Sequence, residues 1–223
     1  MVTPAATRSL ARIRHYLASA EGARIEPARL AVLSTAIAMF ARRGFAGTSM
    51  RDLGAEVGIR AASLYSRFPD GKDQLLREAL SAVFDEFLGF VTEPIDAGDP
   101  PARQLRHVLD RHVAWQLLSG DKAPAWDAAI NQFGVEGALT AEFEHTLRRR
   151  QRLYHGYVED LFLAVSRRPL PDLEKRWQAR GLLAICDASP NLALTARQTP
   201  RAVGAAVWRM TSTLAGQDHA EDT

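Results

Sequence analysis

A short stretch near the N-terminus carries side chains suited to gripping a polyanion at close range. Arg60, Ala61, Ala62, Ser63, Tyr65, Ser66 and Arg67 fall within eight consecutive positions. Small side chains allow close approach to base edges and thymine methyls, while arginine reaches guanine or phosphate. Tyr65 offers a hydroxyl to a phosphate. Thr48 and Ser49 stand at an expected helix start, where hydroxyls and backbone N–H groups suit a phosphate oxygen. Lys72, at the next helix start, is placed to clamp another. The chemistry this set fits is the reading of double-stranded DNA.

The rest of the chain offers little that could run a reaction. Glu142-x-x-His145 is a single E-x-x-H step, whereas di-iron bundles use two, so no metal site is expected. Cys186 ends the apolar run from Leu182 and reads as a buried small hydrophobe. Neither a Gly-rich phosphate loop nor a nucleophile elbow is present. No catalytic group and no cofactor are therefore expected. His112, Trp115, Trp126, Phe133, Phe143, Tyr154 and Tyr157 suit either an apolar ligand pocket with few polar groups or plain core packing. Arg148, Arg149, Arg150 and Arg152 form a basic cluster, either a solvated face or an anchor for an anionic headgroup.

Helices must position these groups. Residues 1–26 read as a leader, either a disordered tail or a short basic helix with Leu10, Ile13 and Leu17 on one side. Its arginines Arg8, Arg12 and Arg14 read as a solvated tail or as a minor-groove arm. A first strong helix starts at Pro27, carries Leu30, Leu33, Ile37 and Phe40 on one face, and stops at Gly44. Arg42 and Arg43 suit its negative end. Ser49-Met-Arg-Asp52 resembles a capping box and opens a second helix that Gly58 ends. A third short helix spans about Arg60 to Arg67, and Pro69-Asp70-Gly71 breaks the chain. Leu33, Ile37, Phe40, Met50, Leu53, Val57, Leu64 and Phe68 make the expected small core, leaving the third helix at the surface. This is a helix-turn-helix unit over residues 27–72.

A helix over residues 73–93 leads to a Pro/Gly/Asp-rich linker, Glu93 to Pro101, the expected domain boundary. Residues 102–215 read as a helical bundle, with helices over about 102–119, 124–133, 141–166, 173–188 and 200–214, and residues 216–223 as a tail. No alternating Val/Ile-rich run is bounded by hairpin turns, so the expected fold class is all-α. Charge is divided unevenly: residues 1–68 carry ten Lys and Arg against four Asp and Glu, and residues 69–223 carry 18 against 22. A basic first third suits a polyanion, though a chance surface imbalance would look the same. One cysteine permits no intrachain disulfide. With no signal-peptide pattern and no membrane-span-length apolar run, a soluble cytoplasmic protein is expected.

Phe40-x-x-x-Gly44-Phe45-x-x-Thr48-Ser49-Met50-x-x-Leu53, then Val57-Gly58-Ile59, Ser63-Leu64-Tyr65-x-x-Phe68 and Lys72-x-x-Leu75-Leu76 resemble the signature of the TetR family of transcriptional repressors. The resemblance covers about residues 29–80. It implies a homodimer with an N-terminal DNA-binding domain and a C-terminal ligand-binding and dimerisation domain. Three features depart from the pattern. Ala62 replaces the usual glycine, Arg67 replaces a frequent histidine, and three residues separate Phe68 from Lys72 where most members have two. Arg106…His112-Val-Ala-Trp115, Arg149-Arg-Gln-Arg-Leu-Tyr154 and Leu182…Cys186 distantly resemble members that sense acyl-CoA thioesters. The reading is a ligand-responsive repressor released by a small apolar or acyl-type effector, with Leu182, Val203, Val207, Trp208 and Met210 at the dimer interface. A ligand-independent activator or architectural protein, and a helical-bundle enzyme, are the alternatives.

Overall fold

The computed structural model describes residues 4–19, 25–128, 140–192 and 199–217. Among them are eleven helices and no strand: α1 (Pro4–Ala18), α2 (Pro27–Arg43), α3 (Met50–Glu56), α4 (Ala61–Arg67), α5 (Lys72–Thr92), α6 (Pro101–Leu118), α7 (Lys122–Ala128), α8 (Ala141–Val165), α9 (Asp172–Asp187), α10 (Ser189–Leu192) and α11 (Pro200–Ala215). The all-α expectation holds. No helix among the described residues is long and apolar enough to cross a membrane.

The chain divides into two compact units. The smaller comprises Gly22–Phe87 and Ser119–Arg149, and the larger comprises Met1–Glu21, Leu88–Leu118 and Arg150–Thr223. One division falls inside α5, one inside α8 and one at the end of α6, and none falls in the Pro/Gly/Asp-rich linker. That linker is itself tied down. Ile95 is buried, Asp96 accepts from the Gly98 N–H at 2.8 Å, and the Gln104 amide donates to the Asp99 carbonyl at 2.7 Å.

In the smaller unit, α2 begins at Pro27 and ends at Gly44, whose φ of +73° suits a residue without Cβ. Leu33, Ile37, Phe40, Met50, Leu53, Leu64 and Phe68 are buried as the helical spacing requires, and Val57 is half-buried. Leu75, Leu76, Leu80 and Phe84 of α5 extend that core. Helix α7 closes over α2. There Arg42 pairs with Asp121 at 2.8 Å, and Trp126 stacks on Phe84 at 5.3 Å.

In the larger unit, α6 packs on α9 and α11, with Leu105, Val108, Leu109, Val158, Leu161, Phe162, Leu182 and Leu183 at the centre. The disordered-tail reading of the leader is corrected here. Ala6, Leu10, Ile13 and Tyr16 recur every three or four residues and are buried, so their apolar stripe holds α1 as a helix. Ser9 donates to Asp160 at 2.8 Å and Arg14 donates to the Ile95 carbonyl at 2.5 Å. Arg14 is therefore held within this unit.

Candidate functional site

The start of α3 is built locally. The Ser49 hydroxyl accepts from the Asp52 N–H at 3.1 Å, and the Asp52 carboxylate accepts from the Ser49 N–H at 3.2 Å, a complete capping box. Hydrogen bonds from the Ser49 hydroxyl and N–H hold the Asp52 carboxyl below its usual range. Helix α3 then turns into α4 through Gly58 at φ +72°. The turn is tight enough that a Cβ on Gly54 would stand 2.8 Å from the Ile59 carbonyl oxygen and 3.3 Å from the Ala61 nitrogen. Gly54 thus sets how closely α4 approaches α3. Its signal in the sequence is a glycine within a short helix, which marks a close backbone approach.

Helix α4 is anchored on one side and open on the other. Leu64 and Phe68 are wholly buried, and Ala61 is half-buried. Arg60 at the N-cap and Ala62, Ser63, Tyr65, Ser66 and Arg67 are all exposed, Tyr65 by 50%. The anchor continues through Arg29, which lies 4.3 Å over the Phe68 ring and grips Glu78 with two hydrogen bonds of 2.8 and 2.7 Å. The Glu78 hydrogen bond raises the Arg29 pKa. The sequence reading missed this pair because its partners lie 49 residues apart.

Three expected phosphate contacts have other partners, Ser49 through the hydrogen bond its hydroxyl donates to the Asp52 carboxylate. Thr48 is only 1% exposed and its hydroxyl donates to the Gly44 carbonyl at 2.9 Å, so it braces the loop that ends α2. The Lys72 ammonium donates to the Phe45 carbonyl at 2.7 Å and lies 4.2 Å over the Phe45 ring. It is a strut between α5 and the same loop. Beside these residues an open cleft of about 530 Å³ is lined by Ala46, Ser49, Tyr65, Pro69 and Gly71 among others.

The larger unit gathers four of the seven residues expected at a ligand site. Tyr154 OH lies 3.1 Å from His112 Nδ1, and His112 Nε2 lies 2.8 Å from Asp187 Oδ1. Gln116 donates to the same oxygen at 3.1 Å. Tyr157 donates to Gln104 at 2.8 Å, and Trp115 is buried with its ring 5.7 Å from Phe90. Burial raises both tyrosine hydroxyls well above their ordinary pKa. In a neutral ring, a proton on Nε2 donated to Asp187 leaves Nδ1 to accept from the Tyr154 hydroxyl. Trp126 and Phe143 belong to the smaller unit, and Phe133 lies outside the described residues. Cys186 is buried, as read from the sequence, and burial raises its pKa. No group of metal-ligating side chains occurs among the described residues.

Residues 32–79 match the profile of the bacterial regulatory proteins, tetR family. The match takes in the helix-turn-helix segment, from Val32 of α2 to Ala79 of α5. It is 32% identical over 60 residues to the biofilm operon negative transcriptional regulator IcaR of Staphylococcus epidermidis, covering 27% of this chain and 32% of that one. It is 34% identical over 70 residues to the transcriptional repressor KstR2 of Rhodococcus jostii, covering 31% of this chain and 34% of that one. The chain thus spans about a third of the length of these curated relatives. The fold extends further. The crystal structure of AibR with isovaleryl coenzyme A and operator DNA superposes with a TM-score of 0.69, at 20% identity, covering 86% of this chain and 100% of that one.

Helices α9 and α11 expose a face other than the one expected from the sequence. Leu182 and Val207 point into their own unit and are buried, so neither is available to a partner. Val203 and Trp208 are half-buried, and Met210 is exposed. On α9 the exposed apolar groups are Leu173, 66% exposed, and Trp177, 72% exposed, one turn apart. Gly181 and Ala184 continue that line. Arg176 and Arg180 flank it and bind Glu159 of α8 at 2.8 and 2.7 Å.

Proposed function

We propose that this protein is a dimeric, ligand-responsive repressor that binds a near-palindromic operator through α4. The observation that carries the reading is the outward side of α4. Buried Leu64 and Phe68 hold the helix, while Arg60, Ala62, Ser63, Tyr65, Ser66 and Arg67 are all exposed. That surface is small, polar and basic, suited to a major groove. Arg60 and Arg67 reach guanine or phosphate, and Tyr65 and the adjoining cleft take the sugar–phosphate backbone. Thr48 and Lys72 shape the cleft from behind.

Short side chains give modest direct readout, so specificity rests heavily on the spacing of two copies. Two reading helices would enter grooves about 34–36 Å apart, or a multiple of that distance. Leu173, Trp177, Val203, Trp208 and Met210 supply the dimer surface. An acyl-type effector in the larger unit, near Trp115, Tyr154 and Tyr157, would favour a conformer with the wrong spacing. Hundredfold release needs only about 2.7 kcal/mol of differential affinity. AibR was crystallised with both an acyl-CoA and operator DNA, which supports this reading of the shared fold. The test is selection of bound fragments from genomic DNA, followed by footprinting. A protected inverted repeat supports the proposal. Protection without two-fold symmetry, or no selected duplex, overturns it.

A further inference from the structure

Arg150 of α8 is the unusual side chain of the larger unit. It is 8% exposed, yet its Nε and Nη1 have no hydrogen-bond partner, and it forms no ion pair with any described residue. Its neighbours in the basic run differ: Arg148, Arg149 and Arg152 are exposed, and Arg148 pairs with Glu144 at 3.3 Å. A guanidinium stays charged in a protein, so burial cannot be relieved by losing a proton. An unpaired buried charge is strongly unfavourable unless something of opposite sign joins it.

The surroundings point to what joins it. Arg150, Tyr154 and Tyr157 fall at steps of four and three on the buried side of α8. The two tyrosines have partners in His112 and Gln104. Arg150 has only the Tyr16 ring of α1, whose centroid lies 5.6 Å from its guanidinium carbon. We propose that Arg150 anchors the effector through an oxyanion, a carboxylate or a phosphate, whose apolar body lies along the aromatic side of α8. Guanidinium groups bind both oxyanions through charge-assisted hydrogen bonds. This rests on the reading of the larger unit as an effector domain, and it adds that the effector is an anion.

The test is thermal denaturation of the full chain with octanoate, octanoyl-CoA, inorganic phosphate or the neutral control octanol. The expected result is a saturable rise in midpoint with octanoate or octanoyl-CoA and none with octanol. Response to octanoate assigns a carboxylate, and response to octanoyl-CoA or phosphate alone assigns a phosphate. Arg150→Met should bind the active probe at least tenfold more weakly, Arg150→Lys should keep part of the response, and Arg152→Gln all of it. Without probe, Arg150→Met should melt no lower than the wild type, because a buried unpaired charge has gone. A clear drop would show a structural role and overturn the proposal. So would silence from all three anions, or an Arg150→Met response equal to the wild type. If DNA is selected while the anions are silent, only this inference falls. If anions bind through Arg150 and no duplex is selected, the repressor reading falls and the anchor stands.

Discussion

Replacing Gly54 by alanine should displace α4. The new Cβ would meet the Ile59 carbonyl oxygen at 2.8 Å and the Ala61 nitrogen at 3.3 Å. Both are backbone atoms, so no side chain can swing aside and the α3–α4 turn must open. The hydrogen bond from the Ile59 N–H to the Gly54 carbonyl, 2.9 Å long, stretches as it does. Overpacking of this kind costs about 1–3 kcal/mol, and weakening the bond adds up to about 1 kcal/mol. The better helix propensity of alanine offsets about 1 kcal/mol. The net expectation is a loss of up to about 3 kcal/mol. The control is Gly89→Ala on α5, where a Cβ meets nothing within 4 Å. That change should be neutral or stabilise by up to about 1 kcal/mol. Urea denaturation measures stability, and fluorescence anisotropy with a selected duplex measures binding. Gly54→Ala should bind at least tenfold more weakly while still folded. A midpoint equal to that of Gly89→Ala, with DNA affinity within twofold of wild type, would refute the argument.

Three other outcomes follow from the structure. Ser49→Ala removes the cap of α3 and should cost about 1 kcal/mol by urea denaturation. Asp52 has a depressed folded pKa, so its contribution is present above its unfolded value and fades as pH falls through the folded one; the Ser49→Ala deficit should shrink in acid. Burial, helped by Arg180, lowers the His155 pKa below 6.5. The unfolded chain then takes up the proton first, so this contribution is full above 6.5 and is lost as pH falls toward the folded value. His155→Gln should flatten the fall in melting temperature between about pH 7 and 5. It keeps part of the slope, because burial lowers His107 as well. Trp177→Lys on exposed α9 should give monomers at micromolar concentration in sedimentation without lowering the monomer's stability, and an unchanged dimer would remove Trp177 from the interface.

The helix-turn-helix of the smaller unit was largely legible in the sequence because its determinants are local. Proline at the start of α2, glycine at its end and serine three residues before Asp52 each act within one turn of chain. The apolar spacing of Leu33, Ile37 and Phe40 named the correct core. Contacts between distant residues were not legible. The sequence places a hydroxyl on Thr48 and an ammonium on Lys72, but only folding brings Gly44 and Phe45 to them. The stripe of α1 carried a helical signal, but Asp160 and Ile95, which bind its Ser9 and Arg14, lie far along the chain. Apolar periodicity also does not say which neighbour it meets. Leu182 and Val207 face their own core, while Leu173 and Trp177, on the same pair of elements as the expected interface, lie open. The unit boundaries within α5 and α8 gave no compositional signal, because a helix can cross a boundary without a break in its pattern.

The central claim is that the exposed side of α4 reads DNA. Ala62→Glu with Ser66→Glu adds two carboxylates to that side, and both positions are exposed and away from the core. Anisotropy with the selected duplex, over a series of salt concentrations, measures the consequence. The wild type should bind with an affinity that falls linearly in log–log form as salt rises. The double variant should melt at the wild-type temperature and lose at least a hundredfold in affinity. Equal affinity and equal salt slope for the two proteins would contradict the account.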